Sequence, residues 1–305
     1  YFHLASGKVQ WDPPSSAPPP PPPPPRVEDR FVILPSYWEK VTPEVVDTNR
    51  DGRVSFDEAG DAASQRVPVK PKVRKAIANL VQNTWKDTVT RDRKDPLCHF
   101  EVVQVVRNEN SKLWRSYFSE RKLITEECRR RRNGFRKQHL LTGAEKAGAE
   151  LEDIIGQESL ALNDEVNEVY MFHGTKPAAA TAICETDFCT KRAGSAVGTL
   201  YGPGLYFAEC SSKSDEYAKD DDEGPYQGLF AMLLCRVCLG ECYYTDAVRP
   251  PVERMVEAVQ SGSHHSVLGD REKARGTYRE FVVFNADHVY PEYIILYRRE
   301  HPEDH

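Results

Sequence analysis

Residues 278–284 read Tyr278-Arg279-Glu280-Phe281-Val282-Val283-Phe284. Two β-branched residues between two aromatics, with no polar residue among the four, specify a buried strand. Glu280 opens that run, and a carboxylate at the mouth of a buried strand is a candidate for chemistry rather than solvation. Three upstream pieces need explaining with it: Phe172-His173-Gly174-Thr175, Tyr201-Gly202-Pro203-Gly204-Leu205-Tyr206-Phe207-Ala208 and Ser212-Lys213-Ser214-Asp215-Glu216-Tyr217. Each alone is weak. A lone His before Gly is most often a structural turn, and a lone Glu beside apolar residues can simply face solvent.

Outward from these pieces the chain keeps the texture of a globular domain from about Leu97. Phe100 to Val106 reads as a strand. Asn110 to Arg129 reads as a long helix, with Leu113, Trp114, Tyr117 and Phe118 as its apolar residues. After Val169 strands dominate, broken by Gly turns and short helices. No internal repeat is evident, and the fold class is α+β.

Taken together the pieces resemble the catalytic domain of the poly(ADP-ribose) polymerase family in its tankyrase-like form, which carries a His-Tyr-Glu triad. His264-His265-Ser266-Val267-Leu268-Gly269 and Val289 to Tyr297 match supporting strand ends. Val106-Arg107-Asn108-Glu109-Asn110, followed by Leu113-Trp114, resembles the domain's opening. The resemblance covers residues 95–300. It implies the ADP-ribosyltransferase fold, with split antiparallel β-sheets and flanking helices, and NAD+ as substrate.

The family's roles carry over residue by residue and fit what NAD+ needs. His173, Tyr206 and Glu280 match the triad. Nicotinamide is flat and cationic, so aromatic faces should hold it; Tyr206 and Tyr217 match the stacking tyrosines. The Gly174 backbone and the Ser214 hydroxyl match the pair that holds the carboxamide. His173 matches the residue bonding the adenosine-ribose hydroxyls, with Thr175 beside it. Breaking the glycosidic bond develops an oxocarbenium-like ribose, which a fixed carboxylate stabilises; Glu280 stands in that position, bonding the nicotinamide-ribose 2′-hydroxyl. Lys213 lies between two serines and is expected to contact Glu280. Residues 186–202 match the loop that closes over the substrate. The Cys/His set of the tankyrase zinc site is missing, so no zinc is expected, and no GxGxxG suggests hydride chemistry.

The implied function is NAD+-dependent protein ADP-ribosylation, mono or poly, with release of nicotinamide. The alternative of a different class is a catalytically inactive, calcium-responsive adaptor that binds NAD+ or ADP-ribose. The intact triad favours the enzyme. NAD+ hydrolysis without a protein acceptor is a third reading.

The N-terminal third carries other signals. Residues 1–14 resemble the C-terminal half of a WW domain, a reader of proline-rich ligands. Residues 15–30 form a proline-rich linker in which Pro18 to Pro25 are consecutive and extended. Residues 35–66 read as an EF-hand: Asp47, Asn49, Asp51, Arg53 (by its carbonyl), Ser55 and Glu58 occupy the calcium-ligand positions, and Gly52 permits the sharp turn. Its entering helix is expected over 36–46. Residues 67–94 read as a linker with one amphipathic helix, its face of Val73, Ile77, Leu80, Val81 and Trp85 docking on the following domain.

Composition sets the outer bounds. The 305 residues suggest about two domains, and 22 prolines account for part of the low apolar fraction of 39%. The net charge of −6 argues against a dedicated nucleic-acid binder; the Arg129–Arg132 run reads as a solvated helix face. The longest apolar run, Leu229 to Cys235, is too short to cross a bilayer, which needs about 20 residues. Eight cysteines, in a chain too large to need disulfides, read as free thiols of an intracellular protein. The chain opens at Tyr1 without Met, as a fragment would. About thirty residues between the calcium loop and the catalytic domain leave no room for the helical regulatory domain of DNA-damage-dependent members. Protein acceptors of ADP-ribose are the expected partners.

Overall fold

The computed structural model describes residues 31–55, 63–88, 90, 99–144, 161–189, 200–221 and 223–300. The expected WW half, the proline-rich linker, Glu58 and most of the expected closing loop lie outside the described residues. Nine strands are described: β1 Ser64–Pro68, β2 His99–Asn110, β3 Glu168–Thr175, β4 Leu205–Phe207, β5 Phe230–Cys238, β6 Cys242–Thr245, β7 Ser266–Asp270, β8 Arg279–Val283 and β9 Val289–Glu300. The described helices are α1 Pro43–Val46, α2 Pro71–Asn83, α3 Ser111–Arg130, α4 Leu141–Ala144, α5 Pro177–Thr186, α6 Ser211–Asp215, α7 Val252–Gln260 and α8 Arg271–Arg275.

The strands form two sheets, ordered β1-β2-β9-β5-β3 and β4-β8-β7-β6. In β5 every residue after Phe230 is buried, because it is central in its sheet and covered on both faces. That explains its unbroken apolar run, interrupted only by Arg236 and two cysteines. Arg236 is affordable there because Glu168 at the start of β3 faces it, with its Nε 2.8 Å from Oε1. Arg121 from α3 reaches the other oxygen of Glu168 at 2.6 Å.

The first sheet is antiparallel throughout, as expected. The second departs from expectation: β6 and β7 run parallel. The residues between them contain α7, the kind of crossover a parallel pair requires. Among the described residues one bridge joins the two sheets, where Phe172 N donates to Ala208 O at 2.8 Å and Ala208 N donates to Phe172 O at 3.0 Å. Around that junction Met171, Leu233, Phe207, Phe281 and Val283 pack in one apolar cluster drawn from both sheets.

Helix α2 docks as the periodicity of Val73, Ile77, Leu80 and Val81 predicts, while Trp85, expected on the same face, lies beyond its end at Asn83 and is partly buried against the same cluster. Val73, Ala76, Ile77, Leu80 and Val81 are buried and pack with Phe100, Tyr293 and Tyr297 of the first sheet. Helix α3 is capped by Asn110, whose side chain accepts from the backbone of Lys112 and Leu113 at 3.1 Å each. The basic run at its end is a paired surface: Arg129 meets Glu165, Arg130 meets Glu126 and Arg131 meets Glu127.

The entering helix expected over 36–46 is confined to Pro43–Val46. Glu109, fully buried near the end of β2, accepts from three successive backbone N–H groups, those of Glu39 at 2.7 Å, Lys40 at 2.7 Å and Val41 at 2.9 Å. An anion held by consecutive amides keeps that stretch in a turn. Burial works against the Glu109 charge, yet these amides and Arg107 outweigh it and hold the carboxyl below its ordinary range.

Candidate active site

The sheet junction assembles the site. Strand β3 ends on His173-Gly174-Thr175, and the bridge one residue earlier brings β4 alongside. His173 Nδ1 therefore lies 2.9 Å from the Tyr206 carbonyl oxygen. A carbonyl only accepts, so Nδ1 carries the proton. Burial lowers the His173 pKa, against the smaller upward pull of that bond, and the ring is neutral at pH 7. Phe188 meets it edge-on at 5.2 Å and Phe207 lies at 5.5 Å.

Tyr206 is fixed from both ends. Its backbone pairs with Val282 of β8; its hydroxyl accepts from Tyr201 N at 3.0 Å and donates to Gly202 O at 2.9 Å. Burial raises the phenol pKa, and the nearby Glu280 adds to this. A phenol locked so tightly presents an immobile ring face.

Gly174 is where β3 touches α6. A Cβ there would stand 1.8 Å from the Ser214 carbonyl oxygen, so no other residue fits. This approach holds the Gly174 backbone beside buried Ser214. Tyr217, just beyond α6, is 43% exposed, its ring centroid 5.1 Å from Lys213 Nζ. Thr175, the last residue of β3, pairs with Ala231 of β5.

Glu280 enters from β8, opposite Gly269 of β7. The Tyr201 ring covers Gly269 so closely that a Cβ would lie 1.9 Å from it. Burial pushes the Glu280 pKa up, and Lys213, at 3.4 Å, pulls it back without cancelling the shift. The structure thus brings His173, Gly174, Tyr206, Lys213, Ser214, Tyr217 and Glu280 to one region where the sheets meet.

Sequence reasoning missed four participants. The Glu216 side chain is fully buried and 2.8 Å from Lys213 Nζ; its spacing of three residues from Lys213 was the available signal. Ser212 Oγ lies 3.0 Å from the Tyr278 hydroxyl, and the backbone N of Lys86 donates to Ser212 Oγ at 3.0 Å. These tie the segment after α2 to the base of the site. No sequence pattern signals contacts between residues so far apart.

Of the calcium positions, those from Asp47 to Ser55 lie among the described residues. Gly52 has the left-handed φ of +79° that the loop demands, and its N–H donates to Asp47 Oδ2 at 2.8 Å. Asp51 Oδ1 accepts from Arg53 N at 2.9 Å, and Val54 is buried in the cluster with Trp38 and Trp114. Among the described residues no group of three or more His, Cys, Asp or Glu is placed to hold a metal ion. Cys235, Cys238 and Cys242 are buried free thiols.

The family model for the poly(ADP-ribose) polymerase catalytic domain matches residues 75–299. The chain belongs to this family. Human protein mono-ADP-ribosyltransferase PARP12 is 34% identical over 140 residues, covering 43% of this chain and 17% of that relative. Mouse protein mono-ADP-ribosyltransferase PARP11 is 28% identical over 148 residues, covering 43% of this chain and 42% of the relative. A probable poly [ADP-ribose] polymerase of Dictyostelium discoideum is 22% identical over 271 residues, covering 87% and 60%. The chain thus matches less than two thirds of each of these relatives. In this PARP-family chain the matched region starts inside α2, so it takes in most of the helix read from sequence as a linker, together with Lys86 at the base of the site. None of the described helices is long and apolar enough to cross a membrane.

Proposed function

We propose that this chain is an NAD+-dependent protein ADP-ribosyltransferase. One observation carries the reading: the Glu280 carboxylate, 3.4 Å from Lys213 Nζ, is held by β8 near the sheet junction that also carries a neutral His173 and an immobile Tyr206 ring. Nicotinamide stacks between Tyr206 and Tyr217, while its carboxamide bonds the Gly174 backbone and the Ser214 hydroxyl. Neutral His173, with Thr175 beside it, binds the adenosine-ribose hydroxyls. Glu280 takes the nicotinamide-ribose 2′-hydroxyl.

The C1′–N bond then breaks with its electron pair going to the pyridinium nitrogen, which leaves as neutral nicotinamide. Positive charge spreads over C1′ and the ring oxygen of the ribose, and the fixed Glu280 carboxylate stabilises it. An acceptor heteroatom forms the new bond to C1′ and gives up its proton. Lys213 favours the ionised form of Glu280 and partly offsets the burial that opposes it.

Incubation with NAD+ labelled in the adenosine part should place label on protein. A ladder reports polymer and a single band reports mono-transfer; both sustain the reading. NAD+ bound without label transferred would support the inactive adaptor instead.

A second reading concerns Ca2+. It is supported by Asp47 Oδ1, a buried carboxylate oxygen with no hydrogen-bond partner, on the loop bent at Gly52. Asp47, Asn49, Asp51, the Arg53 carbonyl, Ser55 and Glu58 would supply the oxygens that a hard cation prefers. Saturating Ca2+ should raise the Tm of wild type relative to EGTA and leave Asp47→Ala unshifted. An unchanged wild-type Tm contradicts this reading.

A further inference from the structure

We propose that Glu216 is a positioning residue of this site, holding the Lys213 ammonium away from Glu280 so that Glu280 stays available to the ribose. The inference rests on the transferase reading above and concerns the same carboxylate. Its basis is an unequal sharing of one cation. Lys213 Nζ lies 2.8 Å from Glu216 Oε2 and 3.4 Å from Glu280 Oε1, with the three side chains 5%, 0% and 12% exposed. An ammonium between two buried carboxylates bonds most closely to the one that cannot move, and Glu216 is the better anchored.

The anchoring comes from outside α6. Glu216 Oε1 accepts a hydrogen bond from the Thr90 hydroxyl. The segment carrying Thr90 is itself fastened to the base of the site. Lys86 N donates to Ser212 Oγ at 3.0 Å, Tyr278 donates to the Lys86 carbonyl at 3.2 Å, and Lys86 Nζ pairs with Glu272 at 2.9 Å. Glu216 therefore passes the placement of this segment to Lys213, and through it to Glu280. Without Glu216, Lys213 would close on Glu280 and compete with the ribose 2′-hydroxyl for its oxygens.

The charges facing Glu280 come from three elements and one turn. Lys213 on α6 and Arg271 on α8 favour its ionised form. Glu216, in the turn after α6, opposes it. From the β4 side the Tyr201 and Tyr206 phenols, both neutral at pH 7, lie within its field. Removing the Glu216 charge therefore makes Glu280 more acidic.

The test is the pH profile of kcat/KM for ADP-ribose transfer, with kcat and KM resolved, for four proteins: wild type, Glu216→Gln, Lys213→Met, and the double variant. Glu216→Gln should lower kcat about tenfold by misplacing the reacting carboxylate. It should also move the acid limb to lower pH, because the Glu216 charge that raises the Glu280 pKa is gone. A structural defect that reduces the active fraction would scale the profile without moving the limb. Should Glu216→Gln not fold, the comparison of Lys213→Met with the double variant decides. The double variant removes both charges of the Glu216–Lys213 pair, so neither of these two is left buried without its partner. The double variant should have the kcat of Lys213→Met and an acid limb at lower pH than that single variant. An unmoved limb in Glu216→Gln, or a further tenfold loss in the double variant, overturns the inference while an active wild type leaves the transferase reading standing. A wild type that transfers nothing overturns both.

Discussion

Glu280→Gln should lower the rate of ADP-ribose transfer about 10²–10³-fold, or about 3–4 kcal/mol of transition-state stabilisation, with NAD+ affinity little changed. The amide keeps the size and the hydrogen-bonding oxygen of the carboxylate but not its charge. The stacking faces of Tyr206 and Tyr217 and the backbone of Gly174 are untouched, so binding survives. What disappears is an interaction that strengthens only as positive charge develops on the ribose. Equal losses in kcat and kcat/KM would express this. A rise in KM alone would mean that Glu280 merely binds substrate.

The same carboxylate sets the acid side of the pH dependence. Transfer needs Glu280 ionised, so activity is present above its pKa and lost as pH falls through it. Burial raises that pKa and Lys213 only partly offsets the rise. Loss should therefore begin at a higher pH than an ordinary exposed carboxylate would give.

The second large effect is steric. Gly174→Ala places a methyl group 1.8 Å from the Ser214 carbonyl oxygen and 2.7 Å from its carbon. Both obstacles are backbone, so relief requires moving β3 away from α6. Overpacking of this kind costs about 1–3 kcal/mol, measurable as a lower Tm or urea midpoint. The functional loss should exceed the stability loss, because the displaced pair is the one proposed to hold the nicotinamide carboxamide. NAD+ binding should weaken at least tenfold in protein that is still folded. A folded Gly174→Ala protein with wild-type affinity would remove Gly174 from the site.

Much of this architecture is legible in the sequence where the signal is local. Phe281, Val282 and Val283 announce a buried strand and are wholly buried in β8. Val73, Ile77, Leu80 and Val81 announce a docked helix face and form one. His173, Tyr206, Lys213 and Glu280 could be nominated because their neighbours resemble a known pattern. What brings them together was not legible: the Phe172–Ala208 bridge is a pair of backbone hydrogen bonds and leaves no mark on side-chain identity.

The parallel β6–β7 pair escaped for a similar reason, since strand direction depends on where the intervening α7 carries the chain. The helix expected over 36–46 failed because its amides have a better partner in Glu109, distant in sequence. Glu216 looks like one more surface charge beside Asp215, and only Thr90 and Lys213 closing over it make it a buried anion.

The central claim is that this chain breaks the bond between nicotinamide and ribose and passes the ADP-ribose to protein. Nicotinamide released and ADP-ribose bound to protein, counted in one reaction with wild type, test it most directly. The account predicts equal amounts of both. Nicotinamide without protein-bound ADP-ribose would mean hydrolysis, and neither product from a protein that binds NAD+ would contradict the account outright.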